Sequence, residues 1–167
     1  MPRHKQIPVQ PLKTSTIRRY DLRMERIALA DQVAPYGLTV QSSYTVAEIA
    51  MHLIGHSPQE VAIALHLNSR MRVTGYHEVG RGSVTACPVD PCALFRVAIL
   101  AGASAIIIAH NHPSGDPSPS NEDNALTQRV RESGDLLGVK LIDHVIVGGE
   151  RNFYSYFDKG TLECTLE

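Results

Sequence analysis

The run Ala105-Ile106-Ile107-Ile108-Ala109 carries no polar side chain and ends directly on His110. Three consecutive β-branched residues favour a strand over a helix. A strand that is apolar on both of its faces must also be covered on both. A chain built around such a strand is therefore a layered α/β structure, with a sheet between helices. With 167 residues, 43% apolar and 20% charged, there is material for one such domain with its own core. The apolar stretch from Ala98 to Ala109 is interrupted by Gly102 and Ser104 and stops at His110, too short to span a bilayer. No membrane association is expected.

Elements on either side of that strand follow from periodicity and punctuation. Thr45-x-x-Glu48 has the form of a capping box, and Val46, Ile49, Ala50 and Leu53 give the helix after it an apolar face that runs to Ser57-Pro58. Val61, Ile63, Leu65 and Leu67 then alternate with smaller or polar residues, Asn68-Ser69-Arg70 turns, and Val73 to Val79 reads as the returning strand of a hairpin. A short strand is expected near Ser83 to Cys87. Asp90-Pro91 opens a helix with Leu94, Phe95, Ala98 and Ile99 inward and Gly102 closing it. After the central strand and a Pro- and Ser-rich loop, residues 121 to 137 read as a helix with Leu126, Val130 and Leu137 inward, closed by Gly138. Val139 to Val147 is a further strand, Gly148-Gly149 a turn, and Phe153 to Phe157 an edge strand. The expected fold is a single α/β domain with a mixed sheet flanked by helices.

Charge divides the chain. Arg3, Lys5, Lys13, Arg18, Arg19, Arg23 and Arg26 against Asp21 and Glu25 leave residues 1 to 26 at +5, and the other 141 residues at −6. Pro2, Pro8 and Pro11 keep the start extended, and a loose helical pattern runs from Ser15 to Ala34, so residues 1–41 read as a basic arm with a helix and residues 42–167 as the domain. Any contact with DNA would fall to the arm, although a short basic terminus without aromatics is most often a solvated tail. Cys87, Cys92 and Cys164 form neither an even set nor a CxxC pair, and the N-terminus lacks an apolar signal core, which fits a reducing cytoplasm. Cys87 and Cys92 read as buried small apolar residues.

The chemistry is concentrated in His110-Asn111-His112-Pro113-Ser114-Gly115-Asp116-Pro117-Ser118-Pro119-Ser120-Asn121-Glu122-Asp123. Histidines at i and i+2 of extended backbone project to the same side, where both imidazoles reach one ion. Pro113 disfavours helix at His112, and three prolines with one glycine shape a loop that swings Asp123 back toward the histidines. Two His, one Asp and a water make an open tetrahedral site suited to catalytic zinc. Each piece has a plainer reading: a lone strand-end His is usually hydrogen-bonded surface, and Ser120-x-x-Asp123 is an ordinary capping box. The whole set favours the metal. Asn111 points the other way and reads as loop structure, while Asp143 and His144 either orient a ligand imidazole or form a buried hydrogen-bonded pair.

His-x-His, seven residues, Ser, two residues, Asp resembles the JAMM signature of the JAB/MPN metalloprotease superfamily, and the fuller HNHPSGDPSPSNED resembles its bacterial RadC-like branch, the DNA repair protein RadC family. Similarity extends through the hairpin, Gly82-Ser83-Val84, the lead Ala101 to Ala105, Leu136-Leu137-Gly138 and Asp143 to Gly148. The resemblance implies an MPN domain of cytidine-deaminase-like fold with zinc at His110, His112 and Asp123 and with Ser120 near the oxyanion position. It also implies a Glu on an early strand, which Glu60 matches by order along the chain and for which Glu78 competes. Full-length RadC proteins place a helix-hairpin-helix region ahead of this part, and that region is expected here to be absent or replaced by the short arm and helix.

The expected activity is that of a zinc-dependent metallopeptidase acting on a peptide or isopeptide bond of a protein substrate. Zinc lowers the pKa of its water from 15.7 toward roughly 7, Glu60 takes the proton, and Ser120 donates to the developing oxyanion. The alternative is a non-catalytic metal-binding MPN module associated with DNA repair or a mobile element. Such modules have usually lost motif residues, and His110, His112, Ser120 and Asp123 are all present.

Overall fold

The structure is a computed structural model and describes residues 39–82, 89–149 and 152–162. The expected helix from Ser15 to Ala34 and strand from Ser83 to Cys87 lie outside those residues, as do Cys87 and Cys164. In chain order the elements are α1 (Ser43–Ile54), β1 (Val61–Leu67), β2 (Val73–Arg81), α2 (Pro91–Leu100), β3 (Ala105–Asn111), α3 (Asn121–Leu137), β4 (Lys140–Gly149) and β5 (Asn152–Ser155). The strands form one sheet in the order β2-β1-β3-β4-β5. β3 is central, antiparallel to β1 and parallel to β4, and the two outer pairs are antiparallel. This is the expected mixed α/β architecture.

Helices cover both faces. On one, Val46, Ile49 and Ala50 of α1 pack on Val61, Ile63, Leu65, Ala105, Ile107, Ala109, Val145 and Val147. On the other, Leu94, Phe95 and Ala98 of α2 and Leu126 and Val130 of α3 pack on Ala62, Ala64, Ile106, Ile108 and Ile146. β1 is consequently buried along its whole length rather than on one face only. The polar ends of β3 emerge between these layers: His110 continues the α3 side after Ile106 and Ile108, and Asn111 continues the α1 side after Ile107 and Ala109.

Several local expectations are corrected. The cap of α1 is Ser42, whose hydroxyl accepts from the Thr45 amide, so the helix begins ahead of the Thr45-x-x-Glu48 box. Leu137 is half exposed rather than inward, because the inward row of α3 ends at Gly134, where an added Cβ would lie 2.5 Å from the Val139 carbonyl oxygen. Ile99 is likewise half exposed, one step off the Leu94, Phe95 and Ala98 row. Cys92, on the first turn of α2, is exposed. Gly148 and Gly149 belong to β4, and the last strand ends at Ser155. Asp90 caps α2 with Pro91 behind it, and Gly138 closes α3 at φ 70°, as the sequence indicates.

Candidate metal centre

The C-terminal end of β3 delivers His110, which is buried, and two residues on His112 reaches the same side at the mouth of a loop. Ser120 is the N-cap of α3: its hydroxyl accepts from the Asp123 amide at 3.1 Å, and Asp123 Oδ2 accepts from the Ser120 amide at 2.8 Å. This capping box fixes the first turn of the helix and turns the Asp123 carboxylate toward the histidines. Asp123 Oδ1 lies 3.3 Å from His110 Nε2, Asp123 Oδ2 lies 3.6 Å from His112 Nε2, and the two Nε2 atoms are 3.0 Å apart. Glu60, at the entry to β1, joins the group: one ligand atom from each of Glu60, His110, His112 and Asp123 falls within 4.8 Å of every other. Glu78 lies elsewhere, opposite Ile63 on β2, with its carboxylate held by Arg81 through Nε at 2.9 Å and Nη2 at 2.7 Å.

Hydrogen-bond directions decide which nitrogens are free to bind an ion. The Thr127 hydroxyl donates to the Asp123 carbonyl at 2.7 Å, so at 2.6 Å it accepts from His144 Nδ1–H. Neutral His144 then has a bare Nε2, which accepts from His110 Nδ1–H at 2.9 Å. His110 Nε2 is left with its lone pair toward Asp123. For His112 the partner of Nδ1 is the Asp116 carbonyl at 2.7 Å, which can only accept, so Nε2 again carries the lone pair. Two such nitrogens 3.0 Å apart require a proton or a cation between them. A tetrahedral zinc with donors at roughly 2.0–2.1 Å separates its donor atoms by about 3.3 Å. The two Nε2 atoms, and each Nε2 and its nearer Asp123 oxygen, are 3.0 to 3.6 Å apart, close to that separation, and the nitrogen and oxygen donor set is one that zinc takes.

Electrostatics agree with this placement. Burial holds the His110 imidazole down at about 4, and burial likewise lowers His144 well below the ordinary imidazole value. The hydrogen bond with Asp123 raises His112 against the opposing effect of its own burial. Burial pushes the Asp123 carboxyl up, but the bond to His112, the charge of His110 and the two bonds from Ser120 outweigh it and hold the carboxyl well below its ordinary range. Glu60 is raised, mainly by burial. His144 is itself stacked on Tyr156, whose hydroxyl donates to Asn124 Oδ1 at 2.7 Å.

Two features escape the sequence reading. Thr127 is one turn beyond Asp123, and that i, i+4 spacing was the available signal for its place in the relay to His110. Asn111 is the last residue of β3 rather than loop, and its side chain is buried and fully bonded. The loop after His112 also rests on a close approach that only glycine allows: a Cβ on Gly148 would lie 2.4 Å from the Gly115 carbonyl oxygen.

A mixed five-stranded sheet with a His, His, Asp and Glu group at the end of its central strand is the arrangement of a JAB-type domain. The family described as RadC-like JAB domain matches residues 40–161, and the chain belongs to that family. It is 48% identical to a UPF0758 protein of Carboxydothermus hydrogenoformans over 95 residues, 57% of this chain and 42% of that one. It is 37% identical to a UPF0758 protein of Thermotoga maritima over 123 residues, 74% of this chain and 54% of the relative. With the UPF0758 protein of Alkaliphilus metalliredigens it shares 38% over 138 residues, 83% and 58% of the two chains. The chain spans about half the length of the curated relatives it matches. No helix among the described residues is long and apolar enough to cross a membrane.

Proposed function

We propose that the chain is a zinc-dependent hydrolase of the JAMM type that cleaves a peptide or isopeptide bond. The observation that carries this reading is the pair of Nε2 lone pairs, on His110 and His112, converging with Asp123 while the Glu60 carboxylate stands beside them. His110, His112 and Asp123 would hold the ion. Bound there, zinc supplies a water acidic enough to ionise near neutral pH and a Lewis acid for a carbonyl oxygen.

The chain's own residues do the rest. The Glu60 carboxylate accepts the proton of the attacking water and gives it to the leaving nitrogen as the C–N bond breaks, so hydroxyl goes to the acyl carbon and hydrogen to the amine. Burial raises the affinity of Glu60 for that proton, which suits a group that takes it and then returns it. The Ser120 hydroxyl donates to Asp123 Oδ2 at 2.6 Å, and a rotation about its Cβ–Oγ bond re-aims it at the carbonyl oxygen as charge develops there.

The test is metal analysis of the purified full chain together with a peptide and isopeptide library read by mass spectrometry. About one zinc per chain is expected, with cleavage that is lost in Glu60→Gln and kept in Glu78→Gln. Cleavage that survives Glu60→Gln overturns the role of Glu60. Zinc without cleavage of any library member makes the chain a non-catalytic metal-binding module instead.

A further inference from the structure

We propose that Asn111, the residue between the two histidines, is a positioning residue that fixes Glu60 against the metal-binding group; this rests on the role given above to Glu60. β3 points His110 to the α3 side of the sheet and Asn111 to the α1 side, where the connector from α1 to β1 passes. There Asn111 makes three hydrogen bonds: its Oδ1 accepts from the Val61 amide at 2.8 Å, and its Nδ2 donates to the carbonyls of Ser57 at 3.2 Å and Gln59 at 3.1 Å. These contacts fall on both chain neighbours of Glu60. The Glu60 carbonyl is held in turn by the Gly82 amide at 3.0 Å.

The register shows what the clamp does. β1 and β3 pair antiparallel down to Ala62 opposite His110. Continued by two residues along each chain, that ladder brings Glu60 opposite His112. The next rung is made by the Asn111 side chain, whose Oδ1 binds the Val61 amide. An Asn amide offers one acceptor and two donors in a fixed plane. Val61 N–H and two carbonyls need that set, and no other side chain of similar size provides it: Asp has no donor, Leu has neither, and Ser has one hydroxyl. The last two residues of β3 and the one that follows thus set both halves of the centre, His110 and His112 the ion and Asn111 the carboxylate beside it.

Full-length Asn111→Leu, similar in size and without hydrogen bonds, and Asn111→Asp, which keeps an acceptor and loses both donors, test this beside Glu60→Gln. Each is loaded with Co2+, its affinity is measured by competition with a chelator, and the pH midpoint of the cobalt visible spectrum is recorded. Amide exchange at Val61 and His112 provides a readout free of metal. Glu60→Gln is expected to move the midpoint by about one unit or more, the scale of one charged neighbour on an ionising group. Asn111→Leu is expected to move it in the same direction by most of that amount, to add little when combined with Glu60→Gln, and to keep cobalt affinity within about tenfold of the parent. Asn111→Asp should fall between, and it carries the test where the Leu variant does not fold. The Val61 amide should lose protection while the His112 amide, bonded to the Val147 carbonyl at 2.9 Å, keeps it. A shifted Glu60→Gln beside unshifted Asn111 variants overturns the role of Asn111 alone. A Glu60→Gln that leaves the midpoint in place overturns the reading of Glu60, and this role with it.

Discussion

At the scale of single residues the centre is controlled by proton positions. His110 presents a lone pair because a chain of hydrogen bonds from the Asp123 carbonyl through Thr127 and His144 leaves its Nδ1 as the donor. Thr127→Val removes the hydroxyl and keeps the shape. His144 Nδ1–H is then unpaired, and the opposite tautomer, which turns a proton toward His110 Nδ1, is no longer disfavoured. Zinc affinity should fall by about 10- to 100-fold, as for other residues that orient a metal-bound imidazole, with the circular dichroism spectrum unchanged. A chelator competition titration checks it, and unchanged affinity contradicts the relay. His112→Ala should lose the metal outright, because it removes one of the three proposed ligands. The residues of the metal-binding group are readable in the sequence, since a His-x-His at the end of an apolar strand and a Ser-x-x-Asp capping box are local patterns. Thr127 carries only the i, i+4 spacing from Asp123 as a signal, since its bond to His144 joins two elements, and Asn111 carries none, because it binds Ser57 and Gln59 across more than fifty positions and Val61 across 50.

Among the elements, the loop from Pro113 to Pro119 matters because it carries the carbonyl that fixes the His112 tautomer. That loop packs on β4 at Gly148, where a Cβ would meet the Gly115 carbonyl at 2.4 Å and Pro117 Cδ at 2.8 Å. Gly148→Ala must push the loop away, and the Asp116 carbonyl moves with it from His112 Nδ1. The expected result is a loss of zinc affinity of about tenfold or more with limited loss of stability. Gly134→Ala should do the reverse. Its Cβ would collide with the Val139 carbonyl and press on Phe95, far along α3 from Asp123, lowering stability by about 1–3 kcal/mol while zinc affinity is retained. Thermal melts and chelator titrations on both variants separate the two outcomes. Most elements were legible because each has its own punctuation: Asp90-Pro91, Ser120 with Asp123, and Gly138. The face of β4 was not. Leu141 and Val145, four residues apart, lie on opposite faces because the β3–β4 register shifts after Ile106, and that shift is what brings His144 to the His110 side. Alternation counted along the sequence puts His144 on the wrong face.

For the whole molecule, sheet order was the part that the sequence left open, since period-two patterning does not say that β1 and β4 both flank β3. The consequence of that order is a histidine-rich interior, and it makes stability depend on pH. Burial lowers His66, His77, His110 and His144 below their ordinary value, to about 4 for His77 and His110. The unfolded chain takes up those protons near pH 6.5 and the folded chain takes them up only at lower pH, so below 6.5 protons favour unfolding. His112 is raised and has the opposite sign: its contribution is complete below about 6.5 and is lost as pH rises through its folded value. Glu60 and Asp143, raised by burial, also oppose the trend, but only toward the carboxylate range. Four groups against one therefore decide the window between pH 7 and 5, and the melting temperature of metal-free protein should drop steadily across it. Zinc held as proposed should sharpen the effect. It would bind the neutral forms of His110 and His112, and a raised His112 means that protons would compete with the ion from a higher pH than for an ordinary imidazole. At zinc 100 times above its dissociation constant the gain at pH 7.5 should be about 2.7 kcal/mol, a rise of about 5–10 °C for a domain of this size. The same zinc concentration at pH 5 should give little or no rise. Melts of zinc-loaded and chelator-treated protein at pH 7.5, 6 and 5 measure both effects. A zinc-induced rise independent of pH would mean that the ion is not held by the imidazoles.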